Sequence, residues 1–321
     1  MRMRLQWMVT WMVCLLLWSA AGRAEATGAV ERAPADVRWM MHLDVAAFQE
    51  SRLGQGLVAL VEERGFPARA KLEAAQALFS IDLKKDIDAV DVFGPDKKRS
   101  NALLYVRGRF EVETLTALVR GIDGYRAIEA DGTTLHVWPN QQDHGKAVIA
   151  CFARPDLIIM GGREDRVRAG LAALEGSSGA EATALFPGWA SAGERVFYFA
   201  AANGVKDLQD AAADNPMAGK IENVFLSAAE TDAGVVLELA VDATDADAAK
   251  QMHQTVQGLQ ALALLNAEKR PELADLARRI QAAAEGTTVS VVATWPVEEA
   301  LDAIRKHVEK HGPKANAPSD Q

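Results

Sequence analysis

Two stretches of the chain resemble each other closely, with four of seven residues identical: residues 131–137 read DGTTLHV and residues 285–291 read EGTTVSV. The segments before them also correspond. Paired apolar runs begin at positions 87 and 102 in the first half and at 221 and 235 in the second. An aromatic-rich strand candidate leads each half, at residues 39–45 and 196–202. Because similarity at this scale is the signature of a repeated structural unit, the sequence predicts an internal duplication.

The order of segments in each half is strand, helix, strand, strand, helix, strand. That order is typical of a ferredoxin-like unit, in which two helices cover an antiparallel sheet. We therefore predict an α+β fold made of two tandem βαββαβ (ferredoxin-like) units with antiparallel sheets, the first with an extra helix and a hairpin. The sheets of the two units either join or stack. The alternative is one large, continuous antiparallel sheet with helices on one side.

Apolar residues at helical spacing support the helices, and β-branched and aromatic runs between turn residues support the strands. The extra hairpin is predicted at residues 147–152 and 157–160, around a Pro-containing turn. The apolar stripes are Leu53, Leu57 and Leu60; Leu72, Ala75 and Phe79 in the extra helix; and Met252, Val256, Leu259 and Ala263.

These patterns divide the chain into six parts. Residues 1–26 form a signal peptide and 27–35 an N-terminal linker. Residues 36–175 form the first α+β unit, 176–194 a connector, 195–310 the second unit and 311–321 a disordered tail.

The N-terminus has the three parts of a secretory signal peptide. Arg2 and Arg4 precede an uncharged, mostly apolar stretch at residues 5–18, and Ala24 and Ala26 supply the small side chains of a cleavage site. An uncleaved anchor is the alternative, although the apolar stretch is shorter than the roughly 20 residues that cross a bilayer. A lipid anchor on Cys14 is disfavoured because bulky Val13 precedes it. We expect cleavage after Ala26 and an exported protein, periplasmic or extracellular, that meets the membrane only through the signal peptide before cleavage.

Charge and cysteine content exclude some classes of function. The chain has 35 basic and 44 acidic residues, a net charge of −9. Loss of residues 1–26 removes three basic residues and one acidic residue, which brings the net charge to −11. Because an acidic surface repels phosphates, we expect no nucleic-acid partner. Only Cys151 remains after cleavage, so we expect no disulfide and a buried, inert thiol.

One region of the sequence resembles known proteins. Residues 85–94 (KDIDAVDVFG) and 104–110 (LYVRGRF) are similar to a group of exported bacterial proteins of unknown function. The resemblance covers most of the mature chain and implies export. It transfers no activity and no catalytic residue.

Common catalytic and cofactor motifs are missing from the sequence. It has no H-E-x-x-H, C-x-x-C, G-x-S-x-G, phosphate-binding loop or dinucleotide fingerprint. The acidic run Asp82, Asp86, Asp88 and Asp91 departs from the calcium-loop pattern and is interpreted as a solvated helix end and strand start. We therefore assign no catalytic residue, no cofactor and no metal ligand.

The best candidate site depends on the ferredoxin-like arrangement, in which the first and fourth strands are neighbours. Alternation along the strands then predicts one polar, helix-free sheet face. It is interpreted as a shallow ligand site, a His-His-Asp metal site if the register allows, a solvated face, or a contact with the second unit. The residues of this face are His42, Asp44, Tyr105, Arg107, His136 and Trp138.

Two classes of function remain. The first is an exported non-catalytic protein that binds an unknown protein or small ligand. The second is an extracytoplasmic hydrolase whose site is assembled from distant loops, which motif searches miss because catalytic groups need only spatial proximity.

Overall fold

A computed structural model describes residues 32–64, 85–130, 132–140, 146–186, 196–208 and 217–311. The predicted signal peptide, the extra helix after Pro67 and the predicted tail lie outside these residues. Among the described helices, none combines the length and apolar character needed to cross a bilayer.

Twelve strands form one antiparallel sheet, and two very short strands pair separately. In chain order the strands are β1 Arg32–Ala33, β2 Trp39–Asp44, β3 Ile87–Gly94, β4 Leu103–Gly108, β5 Arg126–Ala130, β6 Thr133–Pro139, β7 Ala147–Arg154, β8 Leu157–Gly161, β9 Ala180–Glu181, β10 Val196–Asn203, β11 Ile221–Thr231, β12 Gly234–Ala243, β13 Ile280–Glu285 and β14 Thr288–Trp295.

Nine α-helices lie within the described residues. They are α1 Val45–Glu50, α2 Arg52–Arg64, α3 Val112–Arg120, α4 Glu164–Leu174, α5 Ala182–Leu185, α6 Val205–Leu208, α7 Ala246–Leu265, α8 Pro271–Arg279 and α9 Val297–His311.

The two halves of the chain meet in the middle of the large sheet, where β2 pairs with β10. Outward from this pair, the first half runs β2-β3-β4-β8-β7-β6-β5 and the second runs β10-β11-β12-β14-β13. If the β7–β8 hairpin is set aside, the two orders are the same. The equivalence of the halves in sequence stays a prediction.

The repeated sequence forms the turn of a hairpin in both halves. Gly132, with φ +81°, precedes β6, and Gly286, with φ +58°, lies between β13 and β14. A two-residue hairpin turn that matches the twist of its strands needs positive φ, which glycine adopts without steric cost.

The strand order corrects the ferredoxin-like prediction. In such a unit the first and fourth strands are neighbours, whereas here β2 and β6 are separated by four strands. Consecutive strands are instead mostly adjacent, as short connections favour. The observed α+β architecture is therefore one continuous antiparallel sheet, which was the alternative to two ferredoxin-like units.

Helices cover both faces of this sheet, and not one face as expected. The first face carries Met40, Tyr105 and Cys151 and packs under α4 and α5, with Val167 of α4 in the same core. Apolar side chains of β7, β8 and β4 thus bury against α4, whose buried residues Val167, Gly170 and Ala173 are apolar or small.

The second face packs against the remaining long helices. Leu43 and Val90 contact Phe48 of α1, and Leu53 and Leu57 of α2 belong to the same core together with α9. The predicted stripe of α2 is confirmed, since its three leucines are buried. Farther along this face, α3 covers β6, β7 and β8, and α7 covers the ends of β12 and β14.

The predicted linker and connector contain the separate two-stranded ribbon. β1 pairs with β9, and the side chain of Arg32, the first residue of β1, donates to the carbonyl oxygens of Ala173 and Gly179. Arg166 of α4 is paired with Asp36 at 2.6 Å. These bonds fasten the N-terminal segment over the first half.

Candidate functional site

The structure does not bring the six predicted site residues together. His42, Tyr105 and Arg107 lie on the first face, while His136 and Trp138 lie on the second. Asp44, the last residue of β2, caps α1 by accepting a 2.8 Å hydrogen bond from the backbone N–H of Ala47. The predicted helix-free polar face is therefore wrong.

The proposed pairing of His42 with His136 is also wrong. The two imidazoles project to opposite faces, and four strands separate β2 from β6. Within the parts of the chain that the structure describes, no group of three or more His, Cys, Asp or Glu side chains is arranged to hold a metal ion.

A buried polar cluster occupies the first face instead. His42 Nδ1 lies 2.6 Å from Asp91 Oδ1, and the other carboxylate oxygen is 3.2 Å from Arg107 Nη2. Because an ionised carboxylate only accepts, the imidazole Nδ1–H is the donor. The side chain of Asp91 is fully buried, so its charge depends on these two partners.

Sequence reasoning missed Asp91, which was interpreted as part of a solvated acidic run. A signal was present in the alternation of β3. Asp91 shares its face with Ala89 and Phe93, both of which are buried. An acidic residue on an apolar strand face indicates a buried, partnered charge, since burial without a partner is costly.

A histidine–aspartate pair is also part of many hydrolytic sites, where the imidazole contacts a nucleophile and substrate. Here His42 is buried and lies in register with Phe199 of β10. Tyr105, the neighbour of Asp91 on β4, is buried too and donates to the carbonyl oxygen of Gly170 at 3.2 Å. This arrangement gives the pair a structural role.

His136 belongs to an aromatic stack on the second face. Its ring is 4.6 Å from that of Phe152 and 6.0 Å from that of Tyr125, and its Nδ1 lies 3.0 Å from the Tyr125 hydroxyl. Only 4% of the residue is exposed. Burial, with a smaller contribution from nearby Arg120, lowers the pKa of His136 below its ordinary value.

Cys151 confirms the expectation of a buried thiol. It lies on the first face opposite Ile159, and burial raises its pKa to about 11. Because the thiolate is the reactive form, a thiol with this pKa is inert at neutral pH.

The most unusual surface lies on the helical hairpin α7–α8, where sequence reasoning placed a core stripe. Met252 packs inward as predicted, but Leu259 of the same stripe is 62% exposed. Six of the eight large hydrophobic side chains that are exposed among the described residues belong to this hairpin. We call them the leucine surface: Leu259, Leu262, Leu264, Leu265, Leu273 and Leu276.

The hairpin is firmly attached to the sheet on its inner side. Asp245 caps α7 by accepting from Ala248 N–H at 2.7 Å, which lowers the pKa of the Asp245 carboxyl. His253 donates from Nε2 to the carbonyl oxygen of Ala282 at 3.1 Å. Gln260 donates to the carbonyl oxygens of Ala277 and Ile280.

These bonds have a second consequence. β13 is an edge strand, and unpaired edge carbonyls invite pairing with another chain. His253 and Gln260 satisfy two of those carbonyls. α7 therefore protects the sheet edge with its inner side and presents leucines on the other.

Comparisons with known proteins give no family. No family model and no curated protein matches the chain. Among solved structures, three crystal forms of TP0453 are similar at 9–10% identity. Form I has a TM-score of 0.44 and covers 89% of this chain and 98% of TP0453. Form III has a TM-score of 0.46 and covers 91% of this chain and 97% of TP0453. Form IV has a TM-score of 0.44 and covers 88% of this chain and 100% of TP0453.

Proposed function

We propose that this chain is an exported, non-catalytic protein that binds a protein partner through the leucine surface of α7–α8. The single observation that carries the proposal is the exposure of Leu259, Leu262 and Leu265, which is 62%, 57% and 82%. Contiguous apolar patches on proteins in water commonly mark interaction sites.

Burial of these leucines supplies the affinity. Burying one leucine side chain fully stabilises a complex by about 1.5–3 kcal/mol, so a few of them suffice for specific binding. The surface lies on two helices that are bonded to the sheet, and a rigid support lowers the entropy lost on binding.

The shape of the surface favours a protein over a small ligand. Small-molecule sites are concave and enclose most of the ligand. Leu259, Leu262 and Leu265 recur every three residues along the last two turns of α7, about 9 Å of exposed helix, which suits a protein surface laid against the helix.

The hydrolase alternative has less support. Its best candidate group, His42 with Asp91, is 3% and 0% exposed, and its partners on the adjacent strands are the buried Phe199 and Tyr105. A general base must reach the proton that it removes from substrate or nucleophile, which this imidazole does not do from its buried position.

Export is the other half of the proposal. The signal peptide predicts a mature N-terminus at Thr27, which mass spectrometry of the exported protein measures directly. A chain that retains Met1 and stays with the membrane fraction contradicts cleavage and supports the anchor.

Site-specific photo-crosslinking in the exporting cell tests the binding surface. A photoreactive amino acid replaces Leu262, and the control carries it at Lys306, an exposed position on α9. We expect a discrete protein adduct from position 262 and none from position 306. If position 262 gives no adduct, or both positions give the same diffuse labelling, the leucine surface is not a docking site.

A further inference from the structure

We propose that β5, the edge strand of the first half, binds an extended segment of a different protein, which adds to the twelve-stranded sheet as a further strand. β5 stands last in the strand order and pairs with β6 alone among the described strands. The helix α7 is bonded to β13 at the other end of the sheet, so this surface is separate from the leucine surface.

The two edges of the sheet are not equally protected. At the β13 edge, His253 and Gln260 donate to the carbonyl oxygens of Ala282 and Ile280. At the β5 edge, the outward backbone groups make no hydrogen bond with any other residue that the structure describes. Because natural proteins usually cover or bend such edges, an open edge favours pairing with another chain.

The hairpin of β5 and β6 determines which backbone groups face outward. A two-residue turn joins the strands, and Ile128 pairs with Leu135. Since alternate residues of an antiparallel strand bond to the neighbour, the N–H and C=O groups of Ala127 and Glu129 point away from β6. Two donors and two acceptors at this spacing match the backbone of another extended segment, which is the chemistry of strand addition.

An apolar row of the core is also open at this edge. Ile128 packs against the core of the first face and is half-buried, whereas its neighbour Leu135 is fully buried. An incoming strand sets one residue beside Ile128 on the same face, and an apolar side chain there extends the core by one strand. Strand addition therefore buries apolar surface in addition to pairing the backbone groups.

The charges of β5 specify the sequence of the partner segment. Arg126 and Glu129 are exposed, and they lie on opposite faces and on either side of Ile128 along the strand. Opposite charges on directly facing residues attract. An antiparallel segment satisfies both charges when it reads, from its N-terminal end, a basic residue, an apolar residue, any residue and an acidic residue.

A second copy of β5 fits this edge less well. When two copies pair all their outward groups about a two-fold axis, Ala127 faces Glu129 and Ile128 faces its own counterpart. No opposite charge then faces either glutamate, and the two glutamates lie diagonally across from each other, where like charges repel. The occupant is for this reason a different protein.

Site-specific photo-crosslinking of the complete chain in the exporting cell tests the proposal. A photoreactive amino acid replaces Ala127, and the matched control carries it at Ala283, an exposed alanine on the protected edge strand β13. We expect an adduct with another protein from position 127 and none from position 283. No adduct at position 127, equal labelling at both positions, or an adduct with a second copy of this chain overturns the proposal.

A proline distinguishes strand addition from other contacts at this edge. Glu129→Pro removes an outward N–H that β6 does not use, and edge strands tolerate proline. We expect it to reduce the adduct at position 127 at least about tenfold. Glu129→Gln keeps the N–H and loses only an exposed charge, so it is expected to retain the adduct within about threefold. A wild-type yield in Glu129→Pro contradicts pairing through the backbone.

Hydrogen exchange of the wild-type chain tests the same contact even if the proline variant does not fold. The probe is a synthetic peptide of the segment that mass spectrometry maps in the adduct. We expect this segment to have the basic, apolar, any, acidic order and to slow exchange of the Ala127 and Glu129 amides at least about tenfold. Unchanged exchange at these two amides, or a segment without that order, overturns the proposal.

Discussion

At the scale of single residues, the stability of the fold depends on the buried polar cluster of the first face. Asp91 balances Arg107 and orients His42 with no exposure of its own. Removing one member of a buried ion pair leaves the other member uncompensated, which is far costlier than losing an exposed pair.

We therefore expect Asp91→Asn to lower the free energy of unfolding by about 3 kcal/mol. The control is Asp88→Asn on the same strand, whose partner Arg109 is 66% exposed. This second change is expected to cost less than about 1 kcal/mol. Urea unfolding measures both, and equal losses contradict a structural role for the cluster.

His136 makes stability depend on pH. Because its pKa is lowered in the folded state, the unfolded chain binds a proton at a higher pH than the folded chain does. The stability that neutral His136 contributes is complete at a pH above the ordinary histidine pKa of about 6.5. It is lost as the pH falls toward the lowered pKa of His136 in the folded chain.

We expect His136→Phe to remove part of the fall in stability below neutral pH, by at most about 1.4 kcal/mol per pH unit. His307→Gln, a change at an exposed histidine, is the control. The measurement is the unfolding free energy of each variant between about pH 5 and pH 8, on both sides of the ordinary histidine pKa of about 6.5. Unchanged slopes in His136→Phe show that this histidine does not titrate with folding.

At the scale of elements, the sequence predicted the interior strands and the helices that pack on them. The runs at 87–93 and 235–241 became β3 and β12, and the hairpin of β7 and β8 lies where its turn residues placed it. β3 is almost continuously apolar because helices bury both of its faces, whereas β12 keeps its apolar pattern although Leu237 is exposed.

Both edge strands of the sheet were missed. β13 reads IQAAAE and β5 reads RAIEA, with little β-branched content and mostly exposed side chains. Edge strands bury little and so carry a weak pattern. The acid-Gly-Thr-Thr turns were the available signal, because a glycine turn before a strand indicates a preceding hairpin partner.

Glycines in these elements give opposite predictions. Gly258→Ala is expected to raise the free energy of unfolding of the monomer by about 0.5–1 kcal/mol, since the site is open and helical. Gly286→Ala, at φ +58°, is expected to lower it by about 1 kcal/mol or more although space is available. Unfolding of dilute protein measures both, and a destabilising Gly258→Ala shows that the glycine serves the chain's own fold.

At the scale of the whole molecule, the order of the strands in the sheet could not be predicted from the sequence. The same list of elements fits two separate ferredoxin-like units or one sheet, and local patterns do not encode which strands pair across the chain. The pairing of β2 with β10, which joins the halves, connects residues such as Leu43 and Tyr198 that are far apart in sequence.

The candidate site was hidden for the same reason. The predicted polar face required β2 and β6 to be neighbours, and the observed order removes that contact. The leucine surface was predicted to be core because its residues have helical spacing. Met252 and Leu259 belong to one apolar stripe, although only Met252 packs on the sheet. A helical stripe predicts burial without naming what buries it.

The central claim is that these leucines serve binding and not the chain's own fold, and the stability of Leu262→Glu/Leu265→Glu tests it most directly. Glutamate matches leucine in helix propensity, and exposed positions tolerate such changes within about 0.5 kcal/mol each. Urea unfolding of the dilute exported chain is therefore expected to give a free energy within about 1 kcal/mol of wild type. A loss of about 4 kcal/mol or more, the cost of removing two leucines from a core, would show that they are buried within the chain and would contradict the account.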